Sequence, residues 1–159
     1  MLKVNIICVG NLKEKYLKEA YLEYTKRLSR YCKLNLIEIK EYKTFDNPSD
    51  FQIIETITNE GRRILQKLDT SYIVSMCIEG QEFSSEEMAK KINKILNEGI
   101  SNITFIIGGA WGLSEEVKRS SNLKLSMSKM TFPHQLARIM LCEQLYRIFQ
   151  ILNGGKYHK

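Results

Sequence analysis

The chain has only two prolines and two histidines in 159 residues, and its four cysteines include no Cys-x-x-Cys pair. Without paired spacing, Cys8, Cys32, Cys77 and Cys142 suggest neither a disulfide framework nor a zinc site. They read as buried free thiols of a reducing cytoplasm. No apolar run approaches the roughly 20 residues of a bilayer span, so no membrane helix is expected. The opening MLKVNIICVGNLKEKY patterns as a strand and a turn rather than a signal peptide. Missing too are G-x-G-x-x-G and a G-K-[ST] phosphate loop, which removes the main support for dinucleotide and triphosphate binding. No metal-ligand cluster is offered. Internal repeats, low-complexity tracts and long linkers are absent, so residues 1–159 read as one domain, long enough to bury a core unaided.

What is present is an ordinary globular composition, 43% hydrophobic and 26% charged, with a formal charge of +6. That charge is unevenly spread: +5 over residues 1–40, −3 over 41–126 and +4 over 127–159. If the two basic ends meet in space they form a positive face for a polyanion.

Periodicity predicts five strands alternating with five helices. The strands are Lys3–Gly10, Lys33–Lys40, Ser71–Ile78, Asn102–Gly109 and Leu123–Ser128, each apolar and rich in Val, Ile or Leu. The helices are Lys13–Arg30, Ser49–Leu68, one starting in SSEEMAKKINKIL, a short one near Ser114–Ser121, and Pro133–Leu152. Ser84 and Glu87 have capping-box spacing, and Gly99 marks that helix's end. TFDNPSD (44–50) and EGQE (79–82) read as turns. The alternation implies an α/β domain around a mostly parallel sheet with helices on both faces.

In such folds ligands sit beyond the carboxyl ends of the strands. Three loops qualify, after Met76–Ile78, after Ile107 and after Leu125. The second, GGAWGL, has three glycines in five residues, which permits tight turning and close backbone approach. The third, LSMSKMTFPHQ, mixes hydroxyls with methionines, a lining suited to a purine and a sulfonium. Pro133 reads as the first residue of the last helix. The tail NGGKYHK places an aromatic among cations behind two glycines, as stacking on an unpaired base and gripping its phosphates require.

Together NIICVGNLKEKY, IGGAWGL and LSMSKMTFPHQLARIMLCEQLYRIFQILNGGKYHK closely resemble the bacterial RlmH family over the full length. The resemblance implies a SPOUT-class methyltransferase whose C-terminal part threads a trefoil knot, acting as a homodimer. The implied reaction is methylation of N3 of a pseudouridine in 23S rRNA, in the helix 69 loop of assembled ribosomes, with S-adenosyl-L-methionine as donor and no metal. Carried onto this chain, the cofactor contacts fall at Met76, Gly108, Met127, Ser128, Lys129, Met130, Thr131 and Phe132. Met76 departs from the leucine usual in the family but keeps an apolar contact.

His134, Glu143, Tyr157 and His158 are candidates to take the N3 proton, with Arg138 a further catalytic candidate suited to an anionic group. Arg147, Lys156, Tyr157 and Lys159 are the candidate RNA contacts. Two other readings of the same residues stay open: a non-catalytic RNA-binding α/β protein, and a nucleotide-binding enzyme of flavodoxin-like order using GGAWG for phosphate.

Overall fold

Strand β1 (Leu2–Val9) is buried on both faces: Val4, Ile6 and Cys8 enter one core while Ile7 and Val9 enter another. A strand with period-2 side chains can do this only at the centre of a sheet covered by helices on each side. In the computed structural model, which describes residues 1–43 and 45–159, that sheet also contains β2 (Cys32–Ile39), β3 (Tyr72–Glu82), β4 (Asn102–Ile107) and β5 (Leu123–Ser126). All four pairings are parallel and the order is β2-β1-β4-β3-β5. The flavodoxin-like order has the strands in the positions of β3 and β4 exchanged, so that alternative is set aside.

Helices α1 (Lys15–Leu28), α3 (Ser85–Asn97) and α5 (His134–Leu152) pack together over one face. They enclose the larger core with Leu28, Met88, Ile92, Ile95, Leu141, Leu145 and Phe149. Helices α2 (Asp50–Leu65) and α4 (Glu115–Arg119) cover the other, through Ile64 and Val117 against Ile7, Val9 and Ile106. The predicted Ser84–Glu87 capping box is present, and Gly99 follows α3 at φ +84°. A second capping box, Ser49 with Gln52, starts α2. The turn predicted over 44–50 begins at residue 44, which lies outside the described residues.

Three expectations need correction. EGQE is not a turn: β3 continues to Glu82, with a register shift in which Met76 and Gln81 both pair with Leu125. Gly80 makes this possible, because a Cβ there would lie 2.8 Å from the backbone of Lys124 and Leu125. Pro133 is the N-cap of α5, with extended ψ of 136°, rather than its first helical residue. Finally, α2 ends at Leu65 and buries Thr56, Glu60, Gly61 and Ile64, while Ile53 and Ile57 are only half-buried.

Glu60 is the unusual member of that face. It is 4% exposed, and its Oε2 accepts the Tyr42 N–H at 3.1 Å. Burial raises its carboxyl above the ordinary range. A raised folded-state value means that the folded protein binds the proton more tightly, so stability is lost as pH rises through that value. Glu60→Gln keeps the acceptor and removes the charge. Its melting temperature is expected to exceed the parent's at pH 8, with a smaller gap at pH 5. Melting curves at the two pH values check this, and a pH-independent difference contradicts it.

Candidate active site

The carboxyl ends of β3, β4 and β5 surround a cavity of about 800 Å³. Each of the three loops singled out from the sequence lines it. Met76, Cys77, Ile78 and Glu79 come from the β3 irregularity, and residues Gly108–Leu113 from the glycine loop. Met127, Ser128, Met130, Thr131 and Phe132 come from the loop after β5. Of the eight expected cofactor contacts, seven are in the wall. Lys129 is exposed and is not among the lining residues.

Local chemistry explains each loop. After β4 the chain turns tightly, Gly112 N–H donating to the Gly109 carbonyl at 3.1 Å, with Gly112 at φ +86°. Gly108 must lack a side chain, since a Cβ would stand 2.6 Å from the Gly112 carbonyl oxygen. In the last loop the two serines are structural: Ser126 donates to the Ser128 carbonyl at 3.0 Å, and Ser128 Oγ accepts the Met130 N–H at 3.0 Å. These bonds hold Met127 and Met130 without a regular element.

His134, at the start of α5, belongs to the cavity wall. Burial lowers its pKa, an effect Glu41 partly opposes, so the imidazole is neutral at physiological pH. Its Nε2 is buried with no hydrogen-bond partner among the described residues. Lys118, which sequence reasoning missed, lies in the same wall and pairs with Glu79 and, at 3.6 Å, with Glu115. Only its place in the short helix α4, directly after the glycine loop, hinted at it.

The other candidates divide into two groups. Arg138 is 1% exposed and is not in the wall of this cavity; its guanidinium donates to the Gly10 carbonyl and to Glu38, both at 3.0 Å. It ties α5 to the ends of β1 and β2. Glu143, Arg147, Tyr157 and His158 form a separate cluster. Arg147 donates to Glu143 at 2.7 Å, and the Tyr157 hydroxyl donates to Glu143 at 2.9 Å. Arg147 meets His158 Nδ1 at 3.2 Å, and because guanidinium only donates, Nδ1 accepts and Nε2 donates to Glu86 at 2.6 Å.

The Tyr157 ring stands against Tyr146 and below Arg147, so in this conformation the tail lies along α5. Lys156 and Lys159 are exposed. Glu143 lines a second cavity of about 420 Å³, which shares Leu125, Ser126 and Met127 with the first. The β5 loop thus separates the two.

The first cavity fits a nucleoside-sized group carrying both apolar and polar parts. Its volume falls within the usual ligand range. Gly108 brings backbone to its surface, methionines and Phe132 line it, and His134 supplies an unsatisfied buried nitrogen. No group of three or more His, Cys, Asp and Glu side chains that could hold a metal occurs among the described residues. No helix among them is long and apolar enough to cross a membrane. Burial pushes the Cys8 and Cys142 thiols up to about 12 and Cys32 to about 11, leaving them unreactive.

Comparison with known proteins agrees with this geometry. A family profile described as "Predicted SPOUT methyltransferase" matches residues 2–158. A Methanococcus vannielii protein is 52% identical over 159 residues, spanning 99% of this chain and 100% of its own. Proteins of Clostridium botulinum (strain Alaska E43) and Clostridium kluyveri, each named "Ribosomal RNA large subunit methyltransferase H", are 51% identical with the same coverage. Among solved structures, one titled as a probable methylase family protein from Haemophilus influenzae Rd KW20 superposes with a TM-score of 0.53. Its identity is 13%, covering 98% of this chain and 70% of that one, a likeness of fold.

Proposed function

Since the chain belongs to the SPOUT methyltransferase family and is an S-adenosyl-L-methionine-dependent rRNA methyltransferase, we propose that it methylates N3 of a pseudouridine in the helix 69 loop of 23S rRNA. The same proposal places it in the cytoplasm on assembled ribosomes, as a homodimer with a C-terminal trefoil knot. One observation carries it: the three loops matched to the family's cofactor contacts converge on one cavity.

S-adenosyl-L-methionine supplies a methyl group already activated for displacement on a sulfonium. The protein's task is to hold an acceptor nitrogen in line with that methyl and to help remove its proton. Met76, Met127 and Phe132 give the cavity apolar walls, and Gly108 would let the backbone itself approach the donor. His134, on the cavity wall and held neutral by burial, is the in-chain candidate to accept the proton. Glu143 is the alternative acceptor, oriented by Arg147 and Tyr157. It serves if the acceptor base approaches across the β5 loop.

Tail removal tests the division between cavity and cluster. Deleting Tyr157–Lys159 takes away the Glu143 and Glu86 contacts but no residue of the cofactor cavity. Methyl transfer to ribosomes is expected to fall at least about a hundredfold, while the calorimetric Kd for S-adenosyl-L-methionine stays within about threefold. Loss of both would show that the tail builds the pocket.

A further inference from the structure

The mouth of the cofactor cavity carries an exposed apolar rim, two of whose members, Ile78 and Trp111, are not among the expected donor contacts. Ile78 (49% exposed), Trp111 (45%) and Met130 (74%) are large hydrophobic side chains open to solvent, and all three line the same cavity. Each comes from a different strand end, β3, β4 or β5. Trp111 is at the tip of the turn closed by Gly112 N–H on the Gly109 carbonyl, so a short, doubly glycine-bounded turn presents its indole. The exposed Lys124 and Lys129 flank Met127 along the chain, while Lys118 in the adjoining wall is already paired with Glu79 and Glu115.

We propose that Trp111, backed by Ile78 and Met130, is a stacking platform for an unpaired nucleobase of the RNA substrate. The inference rests on the rRNA methylation reading above and names how that site takes its acceptor strand. A flat π surface beside lysines matches a base and its phosphates. Stacking is indifferent to base identity and supplies affinity without hydrogen-bond readout. Tyr157, the aromatic that the sequence suggested for this duty, is instead engaged by Tyr146, Arg147 and Glu143.

Trp111 is the only tryptophan in the chain, so its emission reports this position alone. The full-length protein, saturated with S-adenosyl-L-methionine, is titrated with hexauridylate while indole fluorescence is followed. Quenching is expected on RNA addition. Trp111→Ala is expected to weaken hexauridylate binding (read by fluorescence anisotropy of labelled RNA) and raise the KM for unmodified ribosomes by about tenfold each. Trp111→Phe is expected to recover most of both, and the Kd for S-adenosyl-L-methionine to move less than about threefold.

Unchanged RNA affinity and KM in Trp111→Ala overturn the platform while leaving the methylation reading intact, provided the parent protein transfers methyl to rRNA. Emission that shifts with protein concentration alone overturns it in favour of a second copy covering the rim. Quenching by cofactor alone, with cofactor affinity lost in Trp111→Ala, overturns it in favour of the donor's adenine. A parent protein that transfers no methyl group to rRNA overturns the reading on which the platform rests.

Discussion

Gly108→Ala is expected to weaken S-adenosyl-L-methionine binding by about a hundredfold, a change of about 2.7 kcal/mol. The added Cβ would meet the Gly112 carbonyl oxygen at 2.6 Å and its carbon at 2.7 Å, and both are backbone atoms. Relief requires opening the 109–112 turn, which displaces the wall formed by the Gly109 and Ala110 backbone. Gly99→Ala is the control. Gly99 also has positive φ, at +84°, but a Cβ there meets nothing within 4 Å and the residue ends α3, away from the cavity wall. It should lower the melting temperature by a few degrees, from about 1 kcal/mol of backbone strain, and leave cofactor affinity unchanged. Calorimetry on both proteins decides the matter. Equal affinities for Gly108→Ala and the parent would remove the glycine loop from the site.

Arg138→Met is expected to act on stability instead. Its guanidinium is buried, satisfies the Gly10 carbonyl and reaches the half-exposed Glu38 carboxylate. Methionine occupies much of the same space but leaves the carbonyl without its donor and ends the charge pairing. Together these cost about 2–3 kcal/mol, which for a chain of this size lowers the melting temperature by roughly 5–10 °C. Below that lowered transition, single-turnover methyl transfer per folded molecule should remain within about threefold of the parent. A variant that melts like the parent yet transfers no methyl group would return Arg138 to the catalytic set.

The contrast between these residues shows what a sequence carries and what it does not. Strand and helix alternation was readable because each buried strand is a run of Val, Ile and Leu, and the loops at the carboxyl ends follow from parallel pairing. Gly108 and the Met127–Phe132 run stood out by composition. Arg138 did not declare itself as a core residue, because its partners at Gly10 and Glu38 are 128 and 100 positions away.

The same distance hid Gly80, whose need to be glycine comes from the β5 backbone, and Lys118 of α4, whose partner Glu79 is on β3. Glu60 was hidden for a different reason. Hydrophobic periodicity assigns the isoleucines of α2 to the core, whereas among them only Ile64 is fully buried and the helix turns Glu60 and Gly61 inwards against Gly109 and Ser114. Where packing is against polar loop backbone rather than strands, an apolar stripe does not mark the buried face. The two glycines of the tail do not free Tyr157 for stacking in this conformation: Gly154, at φ +67°, reverses the chain so that Gly155 N–H donates to the Gln150 carbonyl and Tyr157 returns to α5.

The most direct test uses 50S and 70S ribosomes lacking the modification, incubated with this protein and S-adenosyl-L-methionine labelled in its methyl group. The labelled nucleotide is then located in the rRNA by nuclease digestion and mass spectrometry. The account predicts one labelled site, N3 of a pseudouridine in the helix 69 loop of 23S rRNA, with labelling lost in Gly108→Ala. Label at another nucleotide, or incorporation that persists undiminished in Gly108→Ala, would contradict it.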